Sequence, residues 1–279
     1  MKRHIKLSSI VIHLVLILFS FLAVYPIFVM VAGAFKFPAE LTSNASGFPK
    51  IWTLTNFQRL LNYNSGIIVR TFLNSLFIGV TYVILVLFLA SMAGFAFSKF
   101  EFKGKNIIFA VLLTTMMIPG ELNITPLYLI MSRIKWLNTY YVQIFPGIAN
   151  VFALFFMRQY MQSISGTLIE AARIDGAGYW KIYCSIMLPI SKPALASLAI
   201  LVFLSKWNDL LFPKVMITKE AFMPIMVILP TLNEINSARS VPWELLLAGC
   251  TLVTLPLVIC FLLFQNYFLE SAMIGAVKG

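Results

Sequence analysis

Charge is scarce in this chain, and so are the side chains of metal and redox chemistry. Only 11% of the 279 residues are charged, 10 are acidic, 2 are histidines and 3 are cysteines. Cys184, Cys250 and Cys260 stand in or near apolar runs without CxxC spacing, and His4 and His13 are the only imidazoles. That leaves neither a disulfide framework nor a metal site to argue for. A nucleophile paired with a base, a Gly-rich phosphate loop and a carboxylate dyad are missing too. The chain is therefore not expected to be an enzyme: catalytic residues, metal ligands and bound cofactors are all expected to be none, and any bond-breaking step belongs to a partner. Repeats of solenoid period and low-complexity tracts are also missing, which leaves one domain over residues 1–279.

What is present is apolar length. Hydrophobic residues make up 60% of the chain, 25 of them Phe, and the mean hydropathy is +0.91, far from a soluble domain. About 20 apolar residues cross the hydrocarbon core as a helix. Four windows between charges are that long: Lys6 to Lys36, Arg70 to Lys99, Lys135 to Arg158 and Glu244 to Glu270. Two weaker ones lie between them, one interrupted by Glu121 and one carrying Lys206 and Asp209. The expectation is an all-α integral membrane protein with six transmembrane helices at about 10–35, 71–98, 106–131, 139–158, 193–212 and 244–268, since barrel strands would alternate over about ten residues instead. A signal peptide ending at Ala32-Gly33-Ala34 is the alternative for the first span, but its apolar run exceeds the roughly 7 to 15 residues of a signal core.

The formal charge of +11 does not point to nucleic acid, because the basic residues are scattered through the loops with no interleaved aromatic cluster. They read as membrane-flanking charges. Over all loops the 21 Lys and Arg divide almost evenly between the two sides and hardly orient the chain. The short segments decide it: Lys2, Arg3 and Lys6, then Lys99, Lys103 and Lys105, place both termini and the segment at 163–190 in the cytoplasm.

That segment is the most informative stretch. Thr167-Leu168-Ile169-Glu170 has the form of a capping box, Ala171, Ala172 and Arg173 are good helix formers, and Gly176 suits a left-handed helix end. A second helix should present Tyr179, Ile182, Tyr183, Ile186 and Met187 on one apolar face before Pro189. A hairpin lying on lipid is the plain alternative. Against it, Glu170, Asp175, Arg173 and Lys181 form a mixed, near-neutral surface instead of a basic one, as suits docking into a protein groove.

Glu170-Ala171-Ala172, three residues, Gly176, nine residues, then Ile186-Met187-Leu188-Pro189 resembles the EAA motif of ABC-importer permeases at every defining position. Ile118-Pro119, Thr125-Pro126-Leu127-Tyr128, Leu137-Asn138-Thr139, Arg158-Gln159, Trp207-Asn208-Asp209 and the terminal Gly275-Ala276-Val277-Lys278-Gly279 resemble the carbohydrate-uptake branch, more narrowly the smaller six-span permease of maltose-type transporters. Lys214 departs from that pattern, where an apolar residue is commoner. The resemblance implies a bacterial plasma-membrane subunit that pairs with a second, homologous permease, two ATP-binding-cassette subunits and an extracytoplasmic solute-binding protein. ATP and Mg would be used by the partner ATPase. It implies that the cytoplasmic helix-turn-helix at 163–190 is the coupling loop, with Glu170, Ala171, Ala172, Asp175, Gly176, Ile186, Leu188 and Pro189 at the ATPase interface and the Lys278-Gly279 tail as a further contact.

Polar groups at membrane depth face protein or water, which makes Glu121, Trp207, Asn208 and Asp209 candidates for the translocation path or its gate. A helix break around Pro119, Gly120 and Pro126 would leave Glu121 and Asn123 beside it, and Lys206 with Asp209 can equally be a structural ion pair. Competing functions are an ABC importer for a non-sugar solute, a structural or regulatory membrane subunit, and an ATP-independent secondary transporter. The last should show matching broken helices in two halves, and the break near Glu121 has no evident mate.

Overall fold

The computed structural model describes residues 7–234 and 241–276, and every regular element among them is helical. The basic N-terminal residues Lys2, Arg3 and Lys6 and the Lys278-Gly279 tail lie outside the described residues. Apolar runs set the long helices: α1 at Leu7–Ala34, α2 at Ile67–Lys99 and, last in the chain, α9 at Trp243–Ala276. Between them come α3 at Lys105–Thr115, α4 at Ile124–Arg133, α5 at Val151–Gln162, α6 at Thr167–Ile174, α7 at Tyr179–Ile190 and α8 at Lys192–Trp207. Pro26 and Pro256 sit inside α1 and α9 without ending them, as membrane helices tolerate.

Three described helices are long and apolar enough to cross a membrane, Ile10–Ala34, Tyr63–Lys99 and Trp243–Gln265. Two bent pairs raise this to as many as five: α3 with Gly120–Arg133, bent by 90°, and α7 with α8, bent by 75°. The first bend falls where the prolines placed it, with Pro119 ahead of a 3-10 turn at Gly120–Asn123. The apolar window at 139–158 is two helices, Tyr140–Ile144 and α5, parted by a turn in which Gly147 takes φ +85°. Pro146-Gly147 in the middle of the window supplies the break.

The chain divides into two compact units, residues 1–69 with 228–255 and residues 70–227 with 256–279. In the first, the buried Lys36 ammonium donates to the carbonyls of Asn44 (2.6 Å) and Ala45 (3.2 Å). The Asn56 amide donates to the carbonyls of Ala34 and Lys36, so the connector after α1 is tied down by side-chain donors in place of a ladder. Arg59 pairs with the buried Glu244 at 3.2 Å.

In the second unit α2 and α5 touch backbone to backbone. A Cβ on Gly94 would lie 2.8 Å from Met157 Cβ and 3.1 Å from the Arg158 nitrogen, the small-residue contact by which membrane helices approach. Around it Val86, Ala90, Phe95, Ala153, Met157 and Met161 form one core with residues of α6, α7 and α8.

Candidate functional site

The segment at 163–190 is a helix-turn-helix, α6 followed by α7, and its two faces differ. Ile169, Ile182, Tyr183 and Met187 are buried in the α2–α5–α8 core. The Tyr183 hydroxyl meets the buried Ser91 hydroxyl of α2 at 2.7 Å, Tyr179 packs edge-on against Phe100 at 4.7 Å, and Lys99 at the end of α2 donates to the Ile164 carbonyl. The hairpin is thus seated on its own chain.

Two local details differ from the sequence reading. The N-cap of α6 is Gly166, and Thr167 is the first helical residue. The Ser165 hydroxyl accepts from the Thr167 backbone N–H at 3.3 Å and contacts the Thr167 hydroxyl at 2.8 Å. A serine two residues upstream competes for the amide that a capping box would have used, and the carboxylate of Glu170 is left facing outward. In α7, residues Tyr183–Met187 form a π turn. Ile182, Tyr183 and Met187 go inward, Ile186 is half-buried, and Tyr179 at the start of the helix is exposed beside Phe100.

The turn between the helices is as the glycine implied. Gly176 takes φ +80°, its N–H donates to the Arg173 carbonyl at 3.0 Å and the Ala177 N–H to the Ala172 carbonyl at 2.9 Å. This double closure is a Schellman motif, and Ala172 and Ala177 pack against the core below it.

The outward face carries Glu170, Ala171, Asp175, Gly176 and Pro189, all exposed, with Ala172 and Leu188 half-buried. Beside it lies a cavity of about 460 Å³ lined by Lys99, Glu101, Glu170, Arg173 and Tyr179, with the Arg173 guanidinium 5.2 Å from the Tyr179 ring centre. Both signs of charge line it, so it can take a partner's ion pair or polar loop. Sequence reasoning missed Ile174. It is 87% exposed, at the tip of α6, on the face opposite buried Ile169. Five positions separate the two, about 140° around a helix, and that spacing was the available signal.

The membrane-depth candidates do not converge. Trp207 is 2% exposed, set edge-on to Phe72 at 5.7 Å and stacked on Phe203 at 5.4 Å, so its ring is a packing element in this conformation. Asp209 pairs with Lys206 at 3.3 Å and also accepts from the Phe212 N–H. Asn208 is exposed and donates to the Leu204 carbonyl, and Glu121 is exposed on the turn between α3 and α4. Lys214 lies exposed on the short helix Leu211–Met216, whose Pro213 and Met216 are buried.

Residues 86–272, which include the whole helix-turn-helix and its seat on α5 and α8, match the family described as binding-protein-dependent transport system inner membrane component. The chain belongs to this family. The permease is 36% identical over 263 residues to the arabinooligosaccharides transport system permease protein AraQ of Halalkalibacterium halodurans, covering 93% of each chain. It is 34% identical to the protein of the same name in Bacillus subtilis, covering 100% of each. Among solved structures it is similar to a bacterial ABC transporter involved in the import of the acidic polysaccharide alginate, with a TM-score of 0.81 and 26% identity, over 96% of this chain and 99% of that one.

Proposed function

We propose that the permease is one of two homologous membrane subunits of an ATP-driven importer whose cargo is an oligosaccharide, and that α6 and α7 are its coupling loop. The observation that carries the reading is the division of labour within the motif: its apolar face is seated in the chain's own core, while Glu170, Ala171, Ile174, Asp175 and Gly176 face outward. A membrane protein gains nothing from holding a capped, mixed-charge helix tip in water unless that tip docks. The family's binding-protein dependence and the oligosaccharide relatives supply the extracytoplasmic partner and the cargo class.

In this reading the helices cross six times, with the broken pairs α3–α4 and Tyr140–Ile144 with α5 each counted once and the cytoplasm holding both termini. Two ATPase subunits use ATP and Mg, and the permease binds neither. A loop that docks differently on the open and closed ATPase dimer shifts the membrane helices between inward- and outward-facing states; equal docking would shift nothing. The Lys278-Gly279 tail is a second contact, and Glu121, Asn208 and Asp209 border the path.

The test is to co-express the permease with its ATPase and partner permease, reconstitute the complex in nanodiscs and measure ATPase activity with the binding protein and a panel of sugars. Stimulation by an oligosaccharide is expected, and Glu170→Ala is expected to uncouple hydrolysis from uptake. Stimulation by a non-sugar solute alone would overturn the cargo, and unimpaired uptake in Glu170→Ala would overturn the role of the loop.

A further inference from the structure

α7 and α8 meet at a bend of 75°, and the residue between them, Ser191, is fully buried. Its backbone is occupied on both sides. The Ser191 N–H donates to the Met187 carbonyl at 3.0 Å and the Leu188 carbonyl at 3.1 Å, and its carbonyl accepts from the Leu195 N–H at 2.9 Å. Its hydroxyl is different: among the described residues it is the one buried side-chain oxygen or nitrogen without a hydrogen-bond partner. Leaving a buried hydroxyl unpaired costs stability, and folded proteins do so rarely.

Shortage of acceptors is not the reason. Other buried hydroxyls of this chain turn back on their own helix: Ser91 donates to the Phe88 carbonyl at 3.0 Å, Ser197 to the Pro193 carbonyl at 3.0 Å and Thr251 to the Leu247 carbonyl at 2.8 Å. The equivalent acceptor for Ser191 is the Met187 carbonyl, four residues back. At the present bend that carbonyl takes the Ser191 N–H and not the hydroxyl. Back-bonding of this kind is tied to the local bend of a helix, so whether the hydroxyl is bonded depends on the angle between α7 and α8. The backbone around Ser191 is also built to turn. Pro189 and Pro193 have no N–H to carry an unbroken ladder through the joint, and the π turn at Tyr183–Met187 comes just before it; prolines and π turns are where helices change direction.

We propose that Ser191 is the positioning residue of a two-position joint between the helix-turn-helix and α8. At the angle of this structure its hydroxyl is idle. At the second angle it donates to the Met187 carbonyl, which gives the joint a set second position in place of a loose hinge. The inference rests on the reading of α6 and α7 as the coupling loop, whose displacement reaches α8 along the chain through this joint. A bond made in one state and missing in the other is what shifts the balance between them.

Ser191→Ala removes no bond from the state of this structure and one from the other. The assay is the complete importer in nanodiscs, with spin labels on Cys184, exposed on α7, and on Leu204→Cys, exposed on α8, as its only cysteines. Two label separations are expected, in a ratio that changes between the nucleotide-free and the vanadate-trapped complex. Ser191→Ala should shift that ratio about fivefold toward the separation of the present bend, the equivalent of one net hydrogen bond, with thermal stability kept. Ser191→Thr retains the donor and should keep the wild-type ratio. A serine that only fills space gives the reverse order, alanine harmless and the larger threonine disruptive, and that result would overturn the proposal. So would a single separation in every nucleotide state of the wild type, which decides the matter even where a substituted chain does not assemble. The coupling loop is judged separately: unimpaired uptake in Glu170→Ala overturns that reading, whereas uncoupling by Glu170→Ala beside one unchanging separation overturns the joint alone.

Discussion

Gly176→Ala tests whether the turn of the helix-turn-helix is held by backbone conformation or by space for a partner. A Cβ built on Gly176 meets nothing within 4 Å in this chain, so the substitution carries no internal steric cost. What remains is the left-handed conformation at φ +80°, which costs an L-residue about 1–2 kcal/mol. Opening of the turn should rise by the corresponding factor, about 5- to 30-fold. Amide exchange reports this directly at Ala177, whose N–H is held by the Ala172 carbonyl at 2.9 Å. Gly176→Asn should raise exchange less than alanine does, because asparagine visits the left-handed region more easily. Uptake should follow the same order, glycine above asparagine above alanine. If asparagine damages uptake more than alanine while exchange at Ala177 follows the expected order, the glycine is there for close approach of a partner and the conformational argument is refuted.

Ile174→Ser should leave expression and folding of the permease unchanged, since the side chain touches solvent, and should weaken co-purification of the ATPase; equal recovery would remove Ile174 from the docking face. Gly94→Leu should prevent accumulation of folded protein in the membrane, because its Cβ already falls within 3.1 Å of the α5 backbone at the Arg158 nitrogen; normal yield and melting temperature would show that α2 and α5 can part. Tyr183→Phe should lower thermal stability in detergent by about 1 kcal/mol. Ser91 keeps its bond to the Phe88 carbonyl at 3.0 Å, and a larger loss would mean that the pair is part of a wider network. Near the connector after α1, Glu40 accepts the Lys50 N–H at 2.7 Å and the Asn44 amide at 3.1 Å, and the Lys50 bond above all holds its carboxyl below the ordinary value. Its contribution is therefore present above the ordinary carboxylate pKa and is lost as pH falls through the lowered one. The Lys50 amide chemical shift should show that transition and lose it in Glu40→Gln.

The all-helical character was legible because uninterrupted apolar length leaves a membrane chain no other way to satisfy its backbone. The helix-turn-helix was legible from Gly176 and from the motif residues, each of which acts within a few positions of its neighbours. Less legible were features set by small local competitions. Ser165, two residues ahead of Thr167, took the amide that the capping pattern assigned elsewhere. The π turn at Tyr183–Met187 carries no breaker residue that would announce it, and the Pro146-Gly147 turn divided the window at 139–158.

By itself the sequence determined that the chain lives in a membrane, that it is helical, and that residues 163–190 are a polar helix-turn-helix. Those are properties of composition and short-range spacing. Only the tertiary structure decided that Trp207 is buried between Phe72 and Phe203 and that Ile174 is left in the open. It also decided that Asn74, Asn138 and Gln143, scattered over 70 residues of an apolar sequence, converge on the segment at 218–222. A buried amide must find a partner, but which partner depends on how helices distant in the chain pack against each other, and no local pattern encodes that.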